Sequence, residues 1–143
     1  MTTKKKPRSS KKGQNPKDKL GLKKLPLRLI PPAFYINVSA ALNLGGLVKG
    51  YGPYNWRDQP ISYNVYLEAI MRHLLLAMDG EDEDVESFSK HEAHIAACCA
   101  IIFDAKMTGN LIDDRYKTGK LPGVMKEVQS AIGKQIEHYG KKK

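Results

Sequence analysis

Between Gly80 and His94 the chain reads GEDEDVESFSKHEAH, with five carboxylates at positions 81 to 86 and two histidines, His91 and His94, three residues apart. Carboxylate oxygens hold Mg2+ or Mn2+, and imidazole nitrogens extend the choice toward Mn2+ and other transition ions. So dense a negative charge suits two or more divalent ions, and such ions can clamp a phosphate chain and activate a water for in-line attack. A solvated acidic loop would read the same over its first six residues. His91 and His94, three apart, share one helix face, but neither that pair nor the acidic run points to a metal alone; the signal is the two together. The two cysteines, Cys98 and Cys99, are adjacent and lack zinc-finger spacing. Neither a Ser-His-Asp or Cys-His arrangement nor a glycine-rich phosphate loop is present.

A second cluster, KGYGPYNWR, bears on a substrate. Tyr51, Tyr54 and Trp56 offer stacking surfaces, Asn55 an amide for a base edge, and Arg57 a phosphate ligand. The alternative is a tryptophan packed in an ordered loop. Lys49 opens the same segment. Arg72 suits a phosphate or an i,i+4 pairing with Glu68. Arg115, in IDDR, is either a phosphate ligand or part of a turn.

The elements that must position these residues are helices. Apolar spacing predicts one from about 33 to 48, with Pro32 at its first turn. A second runs from about 62 to 78, capped by Ser62 and closed by Gly80, with Tyr63, Tyr66, Leu67, Ile70, Leu74 and Ala77 as its buried stripe. A third runs from about 89 to 107. There Ser89 and Glu92 have the spacing of a capping box, which draws Glu92 away from metal binding. Ile95, Cys98, Ile101 and Ile102 face its core. The fourth, from about 121 to 139, repeats Val124, Val128, Ile132 and Ile136 at every fourth position. No segment alternates as a strand should, so the expected architecture is an all-α bundle of about four helices. If the second and third helices are antiparallel neighbours, His73, late in the second, joins His91, His94 and the acidic loop at one end of the pair.

Charge is divided along the 143 residues. Residues 58 to 114 hold twelve acids and three bases, a balance of −9, while the rest of the chain carries +18. Residues 1 to 24 contain ten Lys or Arg and one acid, too polar to offset chain entropy by burial. The expected division is a disordered basic tail over 1–28, an all-α domain over 29–140 and a short basic tail over 141–143. The tail allows weak contact with nucleic acid. No apolar run approaches the roughly 20 residues of a membrane span, no signal peptide is evident, and adjacent unpaired cysteines fit a reducing cytoplasm.

Taken in order, KGYGPYNWR, SYNVYLEAIMRHLLLAMDGEDEDVES, HEAHIAACCAIIFDA and IDDR resemble the phage dATP/dGTP diphosphohydrolase family, which includes MazZ-type enzymes and is related to the MazG-like all-α nucleotide pyrophosphohydrolases. The resemblance spans roughly residues 30 to 115. It implies a MazG-like bundle assembling as a homodimer or homotetramer, dependence on Mg2+ or Mn2+, and cleavage of a purine deoxynucleoside triphosphate to the monophosphate and pyrophosphate. For MazZ-type members it also implies supply of dGMP for 2-aminoadenine DNA. The chain departs from that pattern where MazG-like proteins carry Glu-x-x-Glu and Glu-x-x-Asp on successive helices. Here Arg72-His73 and His91 with His94 stand at those places, which favours softer ions. It also carries Phe88 where relatives read glycine in Glu-Ser-Gly.

The expected activity is therefore hydrolysis of dGTP or dATP. Glu81, Asp84, His91, His94 and His73 would hold the ions, with Glu81, Asp84 and His94 the catalytic set. Arg72 or Lys49 would meet the departing pyrophosphate, and Trp56 and Asn55 would read the base. The alternative from a different class is a non-enzymatic accessory protein that binds nucleic acid through its basic tails.

Overall fold

A computed structural model of the chain describes residues 16–21 and 23–140. Most of the expected N-terminal tail and residues 141–143 lie outside the described residues. Within that tail, Pro16–Gly21 form a short helix, α1.

α2 spans Pro32–Asn43, with Pro32 at its first position, where a missing N–H costs nothing. It widens at once into a π-helical turn, Leu44–Val48, closed by the Lys49 N–H on the Leu44 carbonyl at 2.8 Å. Gly50 and Gly52, at φ of +74° and +91°, let the chain reverse after it. The loop expected from 49 to 60 contains a further helical turn, α3, at Asn55–Asp58. α4 spans Tyr63–Asp79: the Ser62 hydroxyl accepts the Val65 N–H, and Gly80 ends the helix at φ +100°. α5 spans His91–Thr108 and ends on Gly109 in the same left-handed conformation. α6 spans Leu121–Gly140.

Four expectations need correcting. The Ser89–Glu92 capping box does not form: Lys90 takes the N-cap position without a side-chain bond, and the Ser89 hydroxyl turns to the Ser87 carbonyl. The helix starts two residues later because the chain from 83 to 90 folds back on itself. That fold is held by a Glu83–Lys90 bridge, a 2.9 Å ion pair between the same two side chains, and the Asp84 N–H on the Ser89 carbonyl. Secondly, two short strands exist. β1, Ile61–Ser62, pairs in parallel with β2, Leu111–Ile112, a pairing too short to show alternation in sequence. Thirdly, Leu74 is exposed, because the packed side of α4 turns toward Tyr66, Ile70, His73 and Ala77. Fourthly, the core face of α5 is built on alanine more than on Ile95 and Cys98, which are only half-buried.

α4 and α5 pack against each other, and α2 packs on another side of α5. The α2–α5 core joins Val38 and Ala41 to Ala93 and Ala97, flanked by Leu42 and Ala96. Small side chains bring the two backbones close and leave little apolar area to bury. The burial is thin elsewhere as well: every residue of α6 is exposed, its stripe of Val124, Val128, Ile132 and Ile136 included.

A polar lock fastens α3 to α5. Asp104 accepts the Trp56 indole N–H at 2.6 Å and a two-pronged bond from Arg57, Nε at 2.7 Å and Nη2 at 2.8 Å. These donors pull the Asp104 carboxyl down to about 2. A carboxylate whose pKa is depressed on folding stabilises the fold above its unfolded value, near 3.8, and that contribution is lost as pH falls through the folded value. Trp56 is the only tryptophan in the sequence. Its fluorescence should therefore hold steady down to about pH 4 and change between there and about pH 2, and Asp104→Asn should remove that transition. A transition centred near pH 6 would show that another group controls the lock.

Candidate metal centre

α4 and α5 run as antiparallel neighbours, so the end of one and the start of the other meet beneath the acidic loop. His91, the first residue of α5, is wholly buried. Its Nε2 lies 3.1 Å from Glu81 Oε1, and its Nδ1 lies 2.9 Å from Nδ1 of His73. His73 stacks on His94, ring centroids 4.4 Å apart and planes within 6°. His94 Nε2 is 2.7 Å from the Ser87 hydroxyl, and the Ser87 backbone N–H donates to Asp84 at 2.9 Å. One ligand atom each from His73, Asp84 and His91 falls within 4.8 Å of the others.

The donor set fits a divalent ion. Glu81 is an acceptor, so it selects the His91 tautomer that carries its proton on Nε2 and leaves Nδ1 with a lone pair. That lone pair faces the same atom of His73. Two ligands on adjacent vertices of an octahedral ion, with bonds of about 2.1 Å, stand about 3.0 Å apart, close to the 2.9 Å between these nitrogens. Burial pushes both His73 and His94 below the ordinary histidine value of 6.5. Both therefore keep lone pairs at neutral pH. Hydrogen bonds from Ser87 hold the Asp84 carboxyl below its usual range, so it is ionised there as well.

Of the residues expected at the site, Glu81, Asp84, His73, His91 and His94 come together. Glu81 stands behind His91. Arg72 and Lys49 lie near enough for their charges to disfavour protonation of His73 and His94 respectively. Arg115 is elsewhere: its guanidinium is bonded to Asp113 at 2.8 Å and lies 4.1 Å over the Tyr63 ring, at the opposite end of α4. Ten residues of helix, about 15 Å, separate Tyr63 from His73. Tyr51 is exposed and Asn55 half-buried, and neither is hydrogen-bonded to the histidines. Trp56 instead lines a groove of about 680 Å³ between α2, α3 and the later half of α5, with Phe34, Val38, Arg57, Ile101 and Asp104.

Sequence reasoning missed two residues. Ser87 sits between Asp84 and His94; its signal was its place in the Glu86-Ser87 pair, where relatives continue with glycine. Asp104 was visible only as a carboxylate interrupting the apolar run AIIFDA.

Helices packed around an imidazole–carboxylate cluster of this kind define an all-α protein with a site compatible with a divalent metal. The family described as dATP/dGTP diphosphohydrolase, N-terminal, matches residues 14–115, and the chain belongs to it. It is similar to a dATP/dGTP diphosphohydrolase of Salmonella phage PMBT28, 34% identical over 104 residues, covering 73% of this chain and 34% of that protein. The chain thus spans about a third of the length of this relative. No solved structure matches. Among the described residues, no helix is long and apolar enough to cross a membrane.

The loop carrying Asp84 and Ser87 turns on Phe88, which takes φ +55° while its ring is 85% exposed. The left-handed conformation costs a non-glycine residue about 1–2 kcal/mol, and glycine gives back part of that through its freer unfolded chain. Phe88→Gly should therefore stabilise the protein by about 0.5–1 kcal/mol, read as a rise of a few degrees in the thermal midpoint by circular dichroism. A lower midpoint would mean that the ring contributes more than the strain costs.

Proposed function

We propose that the chain is a metal-dependent nucleotide pyrophosphohydrolase that cleaves dGTP, and dATP, to the monophosphate and pyrophosphate. In a phage it would supply dGMP for 2-aminoadenine DNA. The observation that carries this reading is the convergence of His73, Asp84 and His91 on one point in a chain of this family. The dATP/dGTP diphosphohydrolase named for Salmonella phage PMBT28 supports the substrate class.

His73, His91 and Asp84 would hold Mn2+ or Mg2+, with His94 and further carboxylates of the acidic loop available to a second ion. When bound, the ions supply charge neutralisation on the triphosphate and lower the pKa of an attacking water. The chain's own residues do the rest. Glu81 fixes the tautomer and orientation of His91. His94, half-buried and neutral, is able to take a proton from water, and Asp84 nearby favours the imidazolium so formed. Lys49 and Arg72 bring positive charge to the same end of the helix pair, where departing pyrophosphate needs it.

Assembly belongs to this reading too. An exposed helix with an apolar stripe is the surface a homodimer or homotetramer would cover. Size-exclusion chromatography with light scattering should give an oligomer, and Val128→Asp with Ile132→Asp should yield a smaller species. A monomer before substitution would remove assembly from the proposal.

The activity is tested with each deoxynucleoside triphosphate in Mg2+ or Mn2+. Purine monophosphate and pyrophosphate should appear and should vanish on chelation. Glu81→Gln should weaken Mn2+ binding, followed by calorimetry, by about ten- to hundredfold. Hydrolysis that survives chelation would overturn the metal role, and a panel with no purine product would overturn the function.

A further inference from the structure

The groove between α2, α3 and α5 has a chemistry of its own. Its volume, about 680 Å³, lies within the roughly 300–1,000 Å³ of small-molecule sites. Phe34, Val38, Leu42 and Ile101 give it apolar walls, and Trp56 adds an aromatic surface. Ser39 and Asn43 add polar groups to its lining, and at its edge stands Asp104, bonded by Arg57 through Nε and Nη2 and by the Trp56 indole. A mostly apolar slot with a few polar groups is the form of a site for a flat heterocycle.

The pairing at Asp104 identifies which heterocycle. Arg57 presents two N–H groups on one N–C–N unit to the two oxygens of the carboxylate, a fork-to-fork match. Guanine presents the same unit: its N1–H and 2-amino group flank C2 as Nε–H and Nη2–H flank Cζ. Adenine has no such edge, since its N1 is an acceptor and C2 carries only hydrogen. The Arg57 side chain is 45% exposed, so it can leave Asp104 for solvent without a large desolvation cost. Trp56 holds the carboxylate in place through a separate bond, which the exchange leaves intact.

We propose that Asp104 is a specificity-determining residue that accepts the N1–H and 2-amino group of a guanine base in this groove, and that Arg57 holds the guanine position when no nucleotide is bound. The proposal rests on the reading of the chain as acting on purine nucleotides and deepens it to a guanine preference. The metal centre and the groove use different sides of one helix, α5: His91 and His94 lie toward α4, while Ala100 and Asp104 border the groove. The turn Leu44–Val48 connects them, since Gly46 and Leu47 line the groove and Lys49 follows within electrostatic reach of His94. Asp104 stands ten residues beyond His94 on α5, about 15 Å along the helix, a span that base, sugar and triphosphate of one extended nucleotide would have to cover.

The test is binding in the presence of chelator, without turnover, followed by the fluorescence of the single tryptophan. The probes are dGMP, dAMP and dIMP, the last keeping N1–H but lacking the 2-amino group. The full-length chain should prefer dGMP over dAMP by about ten- to hundredfold, the worth of one bidentate base contact, with dIMP between them. Asp104→Asn should bring the three affinities together. Arg57→Ala should tighten dGMP several-fold, because the competing fork is gone. A purely structural lock would predict that both substitutions weaken all three probes alike, and that outcome overturns the proposal. So does equal binding of dGMP and dAMP by the unaltered chain. A chain that binds dGMP selectively but hydrolyses no triphosphate would leave this inference standing and remove the pyrophosphohydrolase reading. Hydrolysis of dGTP and dATP at equal rates, unchanged in Asp104→Asn, would do the reverse.

Discussion

The structure turns on one buried imidazole. His91 is wholly inaccessible at the first position of α5, with Glu81 on one ring nitrogen and His73 on the other. A buried polar ring without partners would cost a few kcal/mol, so each partner becomes an obligation on the fold. Glu81 must follow α4 directly, which Gly80 permits by ending the helix in a left-handed turn. His73 must point from α4 toward α5, which fixes how α4 is rotated and displaces Leu74 into solvent. The acidic loop must then fold back tightly enough to deliver α5 at that place, and it does so through the Glu83–Lys90 pair and the Asp84–Ser89 bond. The cluster is thus part of what joins the two helices, and its imidazoles and carboxylates are held by groups that also serve the packing.

The other side of α5 obeys a different constraint. Ala93 and Ala97 let α2 approach closely, which closes one end of the interface around Val38 and Ala41. Farther along, Ala100 continues the small face while α2 gives way to the π-helical turn, and the chain opens into the groove. One helix therefore packs on α2 through Ala93 and Ala97 and borders the groove through Ala100, Ile101 and Asp104. The cost is a thin core. Long apolar side chains on α2, α4 and α6 remain in solvent.

Sequence alone gave access to the helices, their approximate ends, the Ser62 cap and the gathering of three histidines with the acidic loop. Each depends on local chemistry or on one assumption, antiparallel neighbours. What stayed hidden depends on contacts distant in sequence. The capping signature at Ser89 and Glu92 was genuine in spacing, but the fold-back of the loop offered Ser89 another acceptor. The β1–β2 pairing joins residues about fifty positions apart, and two residues are too few to alternate. Asp104 meets Trp56 and Arg57 from a similar separation. Arg115 looked like a phosphate ligand because guanidinium groups often are, yet Asp113, two residues away, and the Tyr63 ring already engage it.

Phe88 shows how the two kinds of information combine. Its identity alone argued against a left-handed turn, since the side chain makes that conformation unfavourable. The structure has it there nonetheless, at φ +55°, with its N–H on the Asp84 carbonyl at 2.8 Å. The turn is over-determined: Asp84 accepts from Ser87 and Phe88, and Ser87 in turn meets His94. Those bonds hold the carboxylate and the imidazole in mutual register across the loop. The strain is therefore sustained by the same interactions that shape the centre, which is why glycine, though free of it, is not required there.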